Sequence, residues 1–216
     1  SKPIRGGIPL VFPQFGTGPI MAGQHGFARQ LPWAIEVTGV DQAVGRLNWT
    51  EVTMAQWPHR FNLEYAIHLS HGQLETTLTI SNVDDHAWDF TALLHTYLRR
   101  QEGQVVEGLA GLHYRDKLDG KVKVEEANVI EIDGEIDRAY LDVQQAVEIG
   151  DLQIRLAGFS DLVVWNPWRE KSRAMADFGD QEYREMVCLE PGAIKNPISL
   201  APGASWSGTQ TLSLKR

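Results

Sequence analysis

In the stretch LLHTYLRR, Leu93 to Arg100, a histidine interrupts an apolar run that otherwise reads as a strand. Imidazole titrates near neutrality, so His95 on a rigid element is suited to give or take a proton. A strand histidine also serves simply to satisfy a neighbouring backbone group, and spacing alone modestly favours that plainer role. Far downstream, CLEPGAIKNP places Glu190 after the apolar run MVCL and before Pro191-Gly192. Proline and glycine do not extend a regular ladder, which predicts Glu190 at a strand end or rim. The apolar approach would partly desolvate the carboxylate and raise its pKa toward that of a useful base; a solvated turn glutamate is the alternative.

Other stretches carry groups that suit ligand recognition. FSDLVVWNPW presents Asp161 before an apolar strand, with Trp165 and Trp168 around an Asn-Pro turn. In a sugar site these would be a hydroxyl acceptor and flat apolar faces; otherwise they are a turn hydrogen-bonder and core filling. PIRGGIPLVFPQFG and GQHGFARQLPW set Arg5, Gln24, His25 and Arg29 in glycine-rich turns, where backbone can approach a ligand closely. Surface arginines are usually only solvated charges, but two in such turns of an acidic chain suggest an anion clamp, because guanidinium meets phosphate or carboxylate through paired hydrogen bonds. There is no P-loop, no GxGxxG entering a helix, no HExxH and no CxxC, and the histidines are dispersed without metal-ligand spacing.

These residues need rigid elements beneath them, and the dominant periodicity is alternation. In NLEYAIHL, Leu63, Tyr65, Ile67 and Leu69 point one way while Asn62, Glu64 and His68 point the other, as in a half-buried strand. LETTLTI repeats the pattern with Leu74, Leu78 and Ile80, and the intervening SHGQ supplies a hairpin connection. AVEIGDLQIRL does so again around Gly150-Asp151, and GTQTLSL closes the chain in the same style. In DFTALLHTYLRR, Phe90, Ala92, Leu94 and Leu98 share one face, and Thr91, Leu93, His95, Tyr97 and Arg99 the other. Helical candidates are short, around EKSRAMAD and DQEYREM, and suit connections between strands. Strands joined by short turns, without helices between them, predict an all-β fold, a large antiparallel β-sandwich. With 216 residues, 43% of them hydrophobic, a single domain over residues 1–216 is expected.

The formal net charge of −8 opposes non-specific attraction to nucleic acid or anionic lipid, so neither is an expected partner. Any anionic ligand must be met by a few placed cations. The single cysteine, Cys188, has no internal partner and an apolar setting, which predicts a buried thiol in a reducing compartment. No apolar run approaches the length of a membrane span and SKPIRGG has no signal-peptide pattern, so a cytoplasmic location is expected.

Six separated stretches, SKPIRGGIPLVFPQFG, QHGFAR, LHTYL, FSDLVVWNPW, DFGDQEYREMVCLEPG and APGASWSGTQTLSL, occur in this order across essentially the whole chain. Together they resemble the glucose-6-phosphate 1-epimerase (hexose-6-phosphate mutarotase) family of the galactose-mutarotase-like superfamily, whose plant members are often labelled apospory-associated protein C. The resemblance implies a large antiparallel supersandwich, no metal or organic cofactor, and interconversion of the α and β anomers of a hexose 6-phosphate; the sequence does not identify the oligomeric state, and a monomer is favoured. It places the family's catalytic histidine on His95 and its glutamate on Glu190, and its substrate-binding positions on Arg5, Gln24, Arg29 and Asp161. Family members carry further strands ahead of SKPIRGG, so the expectation is a sandwich lacking those strands, with an exposed sheet edge and less support for Arg5. Three alternatives stay open. They are a non-catalytic sugar-binding or sensing module, an aldose 1-epimerase acting on neutral hexoses, and a glycoside hydrolase with Asp161 and Glu190 as its paired carboxylates.

Overall fold

In a computed structural model that describes residues 4–20 and 23–215, two β-sheets pack face to face, the antiparallel all-β sandwich that alternation predicts. Ser1 to Pro3, the start of the SKPIRGG motif, lie outside the described residues. One sheet runs, in hydrogen-bonding order, Leu10–Val11, Trp88–Leu94, Met186–Leu200, Asp161–Asn166, Ile136–Tyr140, His113–Asp116 and Val122–Val124, with Tyr97–Arg99 also paired to Met186–Leu200. The other runs Val129–Ile130, Val106–Glu107, Val147–Ile149, Leu152–Ala157, Ser205–Leu214, Gln73–Asn82, Phe61–Ser70, Gln42–Asn48 and Ala34–Val37. Among the described residues no helix is long and apolar enough to cross a membrane.

Side-chain parity decides what enters the space between the sheets. Leu162 and Val164, with Val187 and Leu189 of the neighbouring strand, point inward to meet Val147, Ile149, Ile154 and Leu212. Phe90, Ala92 and Leu94 face Leu47, Phe61, Leu63, Leu78 and Ile80 in the adjoining half of the core. Fully burying an apolar side chain of this size contributes about 1.5–3 kcal/mol. The opposite parity, Leu93, Val163, Trp165, Met186 and Cys188, builds an apolar layer on the other face of the first sheet, together with Val11 and Tyr97. Glu190 shares that parity.

The strand expected across DFTALLHTYLRR is in fact two, Trp88–Leu94 and Tyr97–Arg99, separated at His95-Thr96. The Thr96 N–H donates to the Leu94 carbonyl at 2.8 Å, closing a three-residue turn with His95 at its centre. Across the core, the Thr96 hydroxyl donates to Oε1 of buried Gln210 at 2.7 Å, tying this turn to the opposite sheet.

Glu190 also lies elsewhere than expected. Met186–Leu200 runs straight through Pro191-Gly192, so Glu190 is mid-strand and not at a rim. The Leu189 N–H donates to the Thr96 carbonyl at 3.1 Å, and by alternation the Pro191 nitrogen faces the same side. There the ladder is already interrupted at His95, and no donor is required.

EKSRAMAD lies partly in the helix Trp168–Ala174, while DQEYREM yields only a 3₁₀ turn at Glu182–Arg184. A further helix, Glu51–Gln56, was not expected from periodicity; Thr50 and Thr53 fix it by each accepting from the other's backbone N–H. Of the face expected in NLEYAIHL, Leu63 is buried whereas Ile67 and Leu69 are exposed.

Replacing Thr96 by valine leaves the Gln210 carbonyl oxygen buried without its donor, which is expected to cost about 1–3 kcal/mol. Thr96→Ser keeps the hydroxyl and should recover most of that loss. Urea-unfolding midpoints at unchanged slope measure both, and equal midpoints for wild type and Thr96→Val would exclude the tie.

Candidate active site

Leu93 opposes Gly192 and Tyr97 opposes Cys188, so the register carried across the break sets His95 beside Glu190. The His95 Nδ1 stands 3.3 Å from Glu190 Oε1 yet makes no hydrogen bond, which leaves the nitrogen unspent. The backbone N–H of His95 donates to the Pro9 carbonyl at 2.9 Å. Its ring stacks on Tyr97 with centroids 4.9 Å apart and meets Trp165 and His25 edge-on at 5.8 Å each. His95 is 9% exposed and Glu190 2%. Burial holds the Glu190 carboxyl well above its usual range and lowers His95 to about 3, the latter reinforced by His25 and Arg29. Burial therefore favours the neutral form of each, a carboxyl beside a neutral imidazole.

The pair forms part of the wall of a cavity of about 560 Å³, within the usual range of small-molecule sites. The glycine-rich turn QHGFAR supplies another part. Phe27 and Ala28 donate their N–H groups to the Phe12 carbonyl at 3.0 and 3.3 Å. Gly26 can pass this close because it lacks a Cβ, which would lie 2.1 Å from that same oxygen. His25, at φ 67°, turns its ring into the cavity and accepts the Gly16 N–H on Nδ1 at 3.2 Å, which makes it a neutral imidazole. Burial, then Arg29, Lys117 and Arg5, lower its pKa to about 3. Arg29 donates to the Gln24 carbonyl at 2.9 Å, while its buried Nε has no partner. Arg5 pairs with Asp177 at 3.1 Å, and the Lys117 ammonium lies 3.2 Å from Asp137 and 4.0 Å from the centre of the Phe15 ring. Among the described residues four cations line the cavity, Arg5, Arg29, Lys117 and Lys171, the last paired with Glu135 at 2.8 Å, beside Asp137, Asp177 and Glu190, whose neutral form burial favours.

Of the residues singled out from the sequence, the structure brings Arg5, Gln24, Arg29, His95 and Glu190 to this cavity. Asp161 is not among its lining residues. It is fully buried, and its Oδ2 accepts the N–H groups of Ile194 and Lys195 at 2.9 and 2.8 Å, where the pairing with Trp88–Leu94 slips between Ala193 and Ile198. Asp161 shares parity with the cavity residues Val163 and Trp165, but the bulge claims its carboxylate. Trp165 lines the cavity; Trp168 packs on Tyr183, with ring centroids 4.9 Å apart. Lys117, Asp137 and Lys171 were missed because each comes from a segment with no local signal. His95, Cys188 and Glu190 offer three metal-ligand atoms within 4.8 Å. Burial keeps the thiol and the carboxyl protonated, so a cation would have to displace both protons, and the set fits one poorly.

The family profile described as Aldose 1-epimerase matches residues 1–213. A Cenchrus ciliaris protein with the provisional name glucose-6-phosphate 1-epimerase is 37% identical over 233 residues, covering 98% of this chain and 70% of that protein. An Escherichia coli K12 protein with the same provisional name is 31% identical over 203 residues, covering 87% of this chain and 66% of its own length. Among solved structures, a provisionally named mutarotase from Salmonella typhimurium superposes with a TM-score of 0.87 at 26% identity, covering 100% of this chain and 76% of that one. A Synechocystis protein gives 0.82 at 22% identity, covering 100% and 80%.

His25 is neutral when folded and titrates near 6.5 when unfolded, so between pH 6.5 and about 3 protons bind the unfolded chain preferentially. Its contribution to stability is full above that window and is lost as the pH falls through it, at up to roughly 1.4 kcal/mol per pH unit. His25→Asn keeps an acceptor for Gly16 and tolerates positive φ. Stability measured against pH is expected to fall less steeply for this variant, and identical slopes would refute the assignment.

Proposed function

Because the chain belongs to the aldose 1-epimerase family, we propose that it interconverts the α and β anomers of a hexose 6-phosphate by opening and reclosing the pyranose ring. The observation that carries this reading is the side-by-side placement of His95 and Glu190 in one cavity wall. O1 and O5 of a pyranose share a single carbon, so the acid and the base that serve them must converge on one place. A glycosidase instead spans its bond with carboxyls about 5–9.5 Å apart, and Asp161, the carboxylate considered for that role, has both its position and its Oδ2 committed to the bulge.

The forward step starts from the tautomer of the pair that carries its proton on His95: Glu190 takes the proton from the C1 hydroxyl, the C1–O5 bond breaks as the C1 carbonyl forms, and His95 gives its proton to O5. The single proton of the pair has then moved from His95 to Glu190, into the neutral form that burial favours. Rotation about C1–C2 presents the other carbonyl face. On reclosure O5 attacks C1 and loses its proton to His95, while Glu190 protonates the C1 carbonyl oxygen, which becomes the new C1 hydroxyl. Trp165 offers an apolar face to the sugar, and Arg5, Arg29 and Lys117 supply cations for the phosphate. The excess of cations in the cavity of an acidic chain supports the anionic substrate, as do the names of the Cenchrus and Escherichia relatives.

Anomer-resolved NMR of freshly dissolved α-glucose 6-phosphate tests the reading. The protein is expected to accelerate anomerisation, and His95→Ala and Glu190→Ala each to lose roughly 10²–10⁴-fold. Unchanged rates in both variants would favour a binding module instead. Arg29→Met is expected to raise KM for glucose 6-phosphate while leaving glucose little affected; equal effects would point to a neutral hexose.

A further inference from the structure

Away from this cavity, the segment that follows the helix Glu51–Gln56 meets the turn between Gln73–Asn82 and Trp88–Leu94. His59 Nδ1 lies 3.1 Å from His86 Nε2 and 4.0 Å from Asp84 Oδ2, and the ligand atoms of the three residues all lie within 4.8 Å of one another. None of the three lines the cavity that holds His95 and Glu190. We propose that His59, Asp84 and His86 form a binding site for a divalent transition metal of the zinc class, with three protein ligands and an open fourth position.

The geometry suits such an ion. Zinc binds imidazole nitrogen at about 2.0–2.1 Å in tetrahedral sites, which sets two nitrogens roughly 3.3 Å apart, close to the spacing already present. Asp84 has to close on His59 Nδ1 by roughly 0.7 Å to reach the same spacing. The tautomer suits it too: His86 Nδ1 lies 2.9 Å from Asp85 Oδ1, and donation to that carboxylate leaves the Nε2 lone pair directed at the site. A carboxylate behind a metal-binding histidine commonly fixes its orientation and basicity in this way.

The ligands are also held in advance. Buried Asn82 accepts the Asp84 N–H at 2.8 Å and donates to the carbonyls of His86 and Leu200 at 2.9 and 2.8 Å. Asp84 Oδ2 accepts the Arg60 N–H at 3.0 Å, while the Arg60 guanidinium is turned onto the Trp49 ring, 5.2 Å from its centre. The His59 ring packs edge-on against Trp57 at 4.6 Å and lies tilted to Trp88 at 6.1 Å, so two indoles flank the site and report on it. A bound ion would clamp the strand beginning at Phe61 to the turn that precedes Trp88.

The test uses the protein after chelator treatment and dialysis, titrated with Zn²⁺ by calorimetry and with Co²⁺ by absorption. Wild type is expected to bind one equivalent, with a four-coordinate cobalt spectrum, quenched tryptophan fluorescence and a raised Tm. His86→Ala, a substitution at an exposed position, should abolish that equivalent, and Asp85→Asn should weaken it roughly 10–100-fold. Cys188→Ser should leave it intact, which separates the site from the buried set at His95. No uptake by wild type, equal uptake by His86→Ala, or loss in Cys188→Ser would each overturn the assignment.

Discussion

A carboxyl group at the middle of Met186–Leu200, 2% exposed and flanked by Cys188 and Trp165, has no water to hydrate its charge and keeps its proton unless a base stands within reach. His95 is the imidazole within reach, and it stands there because the register of Met186–Leu200 against Trp88–Leu94 and Tyr97–Arg99 is carried unchanged across the break at His95-Thr96. The His95 N–H donates to the Pro9 carbonyl, in register with the pairing of Leu10–Val11 on Trp88–Leu94, and the Thr96 hydroxyl donates to Gln210 on the opposite sheet. The placement of His95 beside Glu190 is thereby tied to both sheets at once. This is why a hydrogen bond in the core between the sheets bears on chemistry at their outer face.

Electrostatics at the cavity follow from the same burial. Removing water raises the cost of every charge there, so His25 and His95 are neutral, Glu190 is protonated, and the guanidinium of Arg29 is less favoured than in solvent. Of the cavity's cations, Arg5, Lys117 and Lys171 are answered by Asp177, Asp137 and Glu135, while Arg29 has, among the described residues, only the Gln24 carbonyl. An arriving anion would relieve that imbalance, and the otherwise acidic surface would repel it elsewhere, so recognition is confined to one place. Among the buried polar atoms of the cavity's described residues, Arg29 Nε and His95 Nδ1, with Asp137 Oδ1, have no hydrogen-bond partner.

The sandwich was legible in the sequence because alternation is a local property, visible in NLEYAIHL, LETTLTI and AVEIGDLQIRL without knowledge of partners. Even so, parity says which residues share a face and not whether that face is covered, as Ile67 and Leu69 demonstrate by their exposure. The cavity was legible in part. Arg5, Gln24, Arg29, His95 and Glu190 stood out as polar groups in glycine-rich turns or apolar strands. Lys117, Asp137 and Lys171 did not, since their meeting depends on strand order, with His113–Asp116 and Ile136–Tyr140 laid beside Asp161–Asn166. The break at His95 was invisible for a similar reason: it is held by Gln210, 114 residues away from Thr96. Pro191-Gly192 read as a strand end because a proline nitrogen cannot donate, and the reading failed because the sheet asks for no donor at that point.

Asp161 and Glu190 show how a role is decided by which atoms claim a side chain's lone pairs. Both are acidic, fully or almost fully buried, and of the same parity on neighbouring strands. Met186–Leu200 has to slip its register after Ala193 to stay paired with Trp88–Leu94 as far as Leu200, and the slip removes Ile194 and Lys195 from the ladder. Their N–H groups would be left without partners, and Asp161 accepts both. Glu190 lies on the near side of that slip, where the pairing with Asp161–Asn166 is regular. One oxygen of Asp161 therefore holds the strand's irregularity, and the strand so held carries Glu190 to the wall of the cavity.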